Sequence, residues 1–126
     1  MIRATLIALA LAGMAYAAEP ADDRELMAAI AQVESRSRDD AVGDFGRALG
    51  RLQIHAACAA DAGMPHRAAK TQAGAEEIYR RWMRRYCAGA TREQAARRWN
   101  GGPRGDRLKA TLGYWTKVSA VLEAKQ

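Results

Sequence analysis

Apolar side chains recur at helical spacing through Leu26, Met27, Ile30 and Val33, so this stretch predicts an amphipathic helix with one buried face. Asp22 or Asp23 stands where its cap belongs. A second stripe, made of Ile78, Tyr79, Trp82, Met83, Tyr86 and Cys87, predicts a helix from about Thr71 or Ala75 to Ala88. Arg80, Arg81, Arg84 and Arg85 fall on its opposite face and read as solvated surface. Thr91-Arg92-Glu93-Gln94 has the form of a capping box, opening a helix that runs to about Trp99 and is stopped by Asn100-Gly101-Gly102-Pro103. A last helix spans about Leu108 to Ala124 and packs through Tyr114, Trp115, Val118, Val121 and Leu122. Leu52, Ile54 and the alanine-rich run from Ala56 form a short buried segment passing into a helix that ends at Gly63. Helical periodicity fails between about Asp39 and Arg51, where only Val42, Phe45 and Leu49 support a strand, so a small hairpin or an irregular loop is expected. The pattern as a whole predicts an α+β fold, predominantly helical.

One position breaks the first stripe. Glu34 lies on the apolar face, where the period calls for another hydrophobic residue. Partial burial and the negative end of the helix dipole both favour its protonated form, as a general acid requires, while Arg36 and Arg38 favour the ionised one. Asp44 stands in the glycine-spaced loop, where backbone amides and Arg47 can keep it charged. Two carboxyl groups with opposite protonation preferences suit cleavage of a glycosidic bond. An ordinary helix-end carboxylate facing water or an arginine is the alternative for Glu34.

The ordered set Glu34-Ser35, Gly43-Asp44, Gly50 with Gln53-Ile54, and Trp99-Asn100-Gly101-Gly102 resembles the lysozyme superfamily, in particular soluble lytic transglycosylases and goose-type and invertebrate-type lysozymes, over residues 22 to 118. The resemblance implies a lysozyme-like domain with the loop lining a cleft. It makes Glu34 the catalytic acid and Asp44 the second acid that goose-type and invertebrate-type lysozymes carry. It places Ser35, Gly50, Gln53, Trp99, Asn100 and Gly101 at the sugar, and Tyr114 in the cleft or in the core. Arg51 and Arg98 depart from the usual pattern. The implied activity is a muramidase or lytic transglycosylase that cuts the β-1,4 bond between N-acetylmuramic acid and N-acetylglucosamine in peptidoglycan glycan strands. The alternative is a non-catalytic exported protein that binds the wall or serves an envelope-spanning secretion or conjugation apparatus.

Residues 1–17 combine Arg3, an apolar run and Ala15-Tyr16-Ala17, the features of a cleavable secretory signal, which leaves residues 18–126 as one domain. The run is too short for a comfortable membrane span, so none is expected after cleavage, and a periplasmic or secreted location follows. The net charge of +6 falls by one when Arg3 is removed and still favours a polyanion. Export makes that polyanion the cell wall. Nucleic acid is not expected, because no recognised motif accompanies the arginines. In an oxidising compartment Cys58 and Cys87 are expected to pair. Metal-ligand spacings and phosphate-binding glycine motifs are missing, so neither metal nor cofactor is implied.

Overall fold

The computed structural model describes residues 18–125, and the leader expected over residues 1–17 lies outside the described residues. The fold is α+β and predominantly helical. Its helices are α1 (Arg24–Ser35), α2 (Ala56–Asp61), α3 (Gln72–Tyr86), α4 (Arg92–Gly101) and α5 (Leu112–Ala124). Strands β1 (Val42–Gly43) and β2 (Ala48–Leu49) pair antiparallel, with Val42 opposite Leu49 and Gly43 opposite Ala48.

Three of the five helix starts are fixed by a side chain that satisfies an otherwise orphaned amide. Asp23 is buried, accepts the Leu26 amide at 3.1 Å and takes Arg92 of α4 at 2.7 Å, so one carboxylate both caps α1 and ties it to α4. Thr71 caps α3, and Thr91 with Gln94 closes the full capping box on α4. α1 ends with Arg36 and Ser37 in left-handed backbone, the Ser37 amide reaching back to the Ala31 carbonyl at 3.1 Å. That turn stops the helix one residue beyond Glu34.

The apolar stripes meet in one core. Leu26 and Ile30 of α1, Ile78, Tyr79 and Met83 of α3, and Val118 of α5 are fully buried with Leu52 and Ile54. Each such side chain contributes about 1.5–3 kcal/mol on burial. α5 lies against both α1 and α4, and the C-terminal end of α1 is tied to the hairpin base by the Ser35 hydroxyl on the Arg51 carbonyl.

Two expectations are corrected here. The last helix begins at Leu112, because residues 105–107 and 109–111 form two short 3-10 turns instead. Thr111 is the reason: its hydroxyl donates to the Gly105 carbonyl at 2.6 Å or the Leu108 carbonyl at 2.8 Å, and it accepts Arg97 at 2.9 Å. Cys58 and Cys87 form no disulfide and both are free. Cys58 is half-buried on α2, whereas Cys87 is buried at the end of α3.

Candidate functional site

Glu34 forms the floor of an open cleft of about 260 Å³. One wall comes from the chain between β1 and α2, with Asp44, Gln53 and His55; the other comes from the end of α4, with Trp99 and Asn100. The cleft thus brings together Glu34, Asp44, Gln53, Trp99 and Asn100 from three separate stretches of sequence.

The two carboxyl groups differ in the way their surroundings require. Burial pushes Glu34 from the ordinary 4.5 up to about 7, so at neutral pH about half of the molecules keep its proton. Neither Arg36 nor Arg38 contributes to this shift. Asp44 is held below the usual carboxylate range, first by a hydrogen bond with His55 and then by the charges of Arg47 and His55. The His55 Nε2 to Asp44 Oδ2 distance is 2.7 Å. The floor therefore offers an O–H donor or a proton, and one lip offers a fixed acceptor.

The hairpin wall is stabilised by Gln53 from behind. Its side-chain amide donates to the Gly50 carbonyl at 2.9 Å and the Ala41 carbonyl at 3.3 Å. Its Oε1 fills the space that a side chain at Gly43 would need, since a Cβ there would come within 2.2 Å. At the tip, Asp44, Phe45 and Gly46 all adopt left-handed backbone, with φ of 48°, 56° and 88°. The opposite wall is held by packing: the Trp99 ring lies 5.2 Å from Tyr79 and 5.4 Å from Trp82, edge-on to the latter.

Other expected site residues lie outside the cleft lining. Ser35 is buried, donates to the Arg51 carbonyl at 2.8 Å and accepts the Arg38 amide at 3.0 Å, so it fastens α1 to the hairpin base. Gly50 is buried against the Ala69 carbonyl. A Cβ on Gly101 would meet Thr111 at 2.6 Å, which makes it a packing position. None of these three is among the residues that line the cleft. Tyr114 is half-buried, with its hydroxyl buried and unpartnered within the field of Glu34, and it stands behind the floor. Arg51 pairs with Asp39 at 2.7 Å, and Arg98 links the Tyr86 carbonyl and Asp106, each at 3.1 Å, so both departures from the family pattern have structural work.

His55 and Cys58 are cleft residues that were not anticipated. His55 follows a turn in which Gln53 takes φ 50°, so no strand alternation in the sequence pointed to it. The Cys58 thiol is pushed up to about 12, mainly by burial, and is no nucleophile at neutral pH. Among the described residues no group of His, Cys, Asp and Glu is placed to hold a metal ion. No helix among them is long and apolar enough to cross a membrane.

No family model and no curated protein matches the chain. Solved structures are similar to it, among them two inhibitor–lysozyme assemblies. One is Aeromonas hydrophila PliI in complex with Meretrix lusoria lysozyme, at 30% identity over 83% of this chain and 93% of the matched chain, with a TM-score of 0.72. The other is inhibitor-bound lysozyme from Meretrix lusoria, at 30% identity over 79% and 90%, with a TM-score of 0.71. Meretrix lusoria lysozyme is present in both, and in both it is held with an inhibitor. That finding corrects the functional expectation: the comparisons attach this fold to an inhibitor–lysozyme assembly, not to a muramidase or lytic transglycosylase at work on peptidoglycan. The chain belongs to the family represented in these two inhibitor–lysozyme structures.

Proposed function

We propose that the chain is a binding protein that forms a complex of the inhibitor–lysozyme kind, with the cleft above Glu34 as its receiving surface. The observation that carries this reading is the cleft itself. A partly protonated carboxyl on the floor and an ionised carboxylate on the lip form a donor and acceptor pair, on a fold shared with a structure that contains both an inhibitor and a lysozyme. The partner is then a protein of that pair, in place of the glycan strands or the export apparatus expected from sequence. The receiving geometry favours the inhibitor side, because a concave site takes an inserted segment. Residues 1–17 act as an export signal in this reading, and the complex forms in the periplasm or outside the cell.

The test is titration of the purified mature chain with Aeromonas hydrophila PliI and, separately, with Meretrix lusoria lysozyme, followed by calorimetry. Saturable binding to PliI that is weakened by Glu34→Lys, with the fold retained by circular dichroism, is the expected result. Failure to bind either protein rejects the proposal. Release of soluble muropeptides from purified sacculi by the isolated chain would also contradict it and return the site to catalysis.

A further inference from the structure

A second hollow is separate from the cleft, and the two linings share no residue. Arg24, Ala28 and Ala31 recur at helical spacing on α1, and Gln72, Glu76 and Arg80 do so on α3. One face of each helix therefore borders a cavity of about 280 Å³. Arg51 from the hairpin base joins this lining, and the half-buried Met27 adds an apolar patch. Arg24, Met27 and Arg80 also border a further hollow that reaches Ala21 and Asp22, so the two spaces adjoin.

The polar groups around the cavity are incompletely used. Arg51 gives Nε and Nη2 to Asp39 at 2.7 and 3.2 Å, and Arg80 gives the same two atoms to Glu77 at 3.4 and 3.2 Å. Neither Nη1 has a hydrogen-bond acceptor among the described residues; that of Arg80 stands 3.9 Å from Glu76 Oε1, too far to donate. Glu76 Oε2 accepts the Gln72 amide at 3.0 Å, which leaves Oε1 open on a side chain only 23% exposed. Arg24 forms no ion pair among the described residues. Polar groups withdrawn from water in this way normally have partners.

The signs of these groups select the ligand. Guanidinium edges match a planar carboxylate, which accepts paired hydrogen bonds from them. A phosphate would suit the same edges but would bring more negative charge against Glu76. A carboxylate with an N–H beside it turns Glu76 into an acceptor instead. The cavity volume suits a molecule of amino-acid size.

We infer that the hollow between α1 and α3 binds a carboxylate whose adjacent carbon carries an N–H donor, with Arg24 and Arg80 on the carboxylate, Glu76 on the nitrogen and Met27 against an aliphatic side chain. Two sources share that chemistry. A free α-amino acid presents an ammonium, and the last residue of a peptide presents an amide, with the adjoining hollow as room for the preceding residue. The inference is independent of the proposed function, since it uses none of the cleft residues.

The experiment is titration of the isotope-labelled mature chain with L-leucine and with the dipeptide alanyl-leucine, followed by two-dimensional NMR. Saturable shifts centred on Ala28, Ala31, Gln72 and Glu76, and not on Gln53 or Asn100, are expected. Tighter binding of leucine assigns the free amino acid, and tighter binding of alanyl-leucine assigns the peptide end. Leucinamide, which lacks the carboxylate, and isocaproate, which lacks the nitrogen, should each bind about tenfold more weakly or worse. Arg24→Gln should weaken leucine binding by a similar factor, with an unchanged melting temperature because the side chain is exposed. Glu76→Gln should weaken leucine but not isocaproate, and Arg107→Gln, outside the lining, should change neither. Absence of saturable shifts with both leucine and alanyl-leucine overturns the inference. So does inorganic phosphate or either truncated analogue binding as tightly as leucine, or an Arg24→Gln variant that binds like wild type.

Discussion

The two walls of the cleft are built on different principles. The α4 wall is a helix end whose Trp99 is wedged against Tyr79 and Trp82, so its position follows from side-chain packing in the core. The hairpin wall has almost no core of its own: two-residue strands, a left-handed tip and one glutamine hydrogen-bonded to two carbonyls. Packing gives the first wall rigidity at the cost of adaptability. Backbone geometry gives the second an exposed edge that a partner can grip, and it leaves that edge dependent on a few small contacts.

The largest effect should come from the base of the hairpin. Gly50 has φ +77°, and a Cβ there would stand 1.8 Å from the Ala69 carbonyl oxygen, which is backbone and cannot swing aside. Gly50→Ala should therefore cost about 3 kcal/mol or more, from strain and overpacking together, read as a collapsed urea midpoint. A variant as stable as wild type would show that the hairpin base is looser than described.

The floor between the walls gives the next effect. Glu34 has a folded pKa of about 7 against an ordinary 4.5, so burial opposes its ionisation in the folded state. Its contribution is fully present below pH 4.5 and is lost as pH rises through 7, with a ceiling of about 3 kcal/mol. Glu34→Gln should remove this pH dependence and leave stability flatter between pH 5 and 8. Identical pH profiles for variant and wild type would place the titration elsewhere.

Trp99→Ala should then cost about 2 kcal/mol, less than a fully buried tryptophan because the side chain is only partly buried. Gln53→Ala should cost about 1 kcal/mol globally, yet speed hydrogen exchange at Gly50 and Ala41 far more than at α4. The comparison between walls fails if the glutamine change loosens α4 equally.

Much of this architecture was legible because it depends on local rules. The capping box at Thr91 and the helical stripes are short-range patterns, and both formed as read. Glu34 announced itself as a polar residue on an apolar face. What could not be read depends on contacts between distant segments. Ser35 carries the residue type of a ligand contact, but the Arg51 carbonyl, brought close only by the fold, turns its hydroxyl inward. The start of α5 moved because Thr111 found Arg97 and the Gly105 carbonyl, neither of which periodicity contains. The cysteines were expected to pair from compartment alone, which says nothing of their separation in space, and both stay free. Function was the least legible of all, since a cleft shows what can enter it and its occupants are supplied from outside.

The central claim is that this cleft receives a protein partner, and calorimetric titration of the mature chain with Aeromonas hydrophila PliI at neutral pH tests it most directly. The account predicts a saturable complex of one chain with one inhibitor, weakened by Glu34→Lys. Heats that never rise above dilution, at concentrations where both proteins are folded, would contradict it.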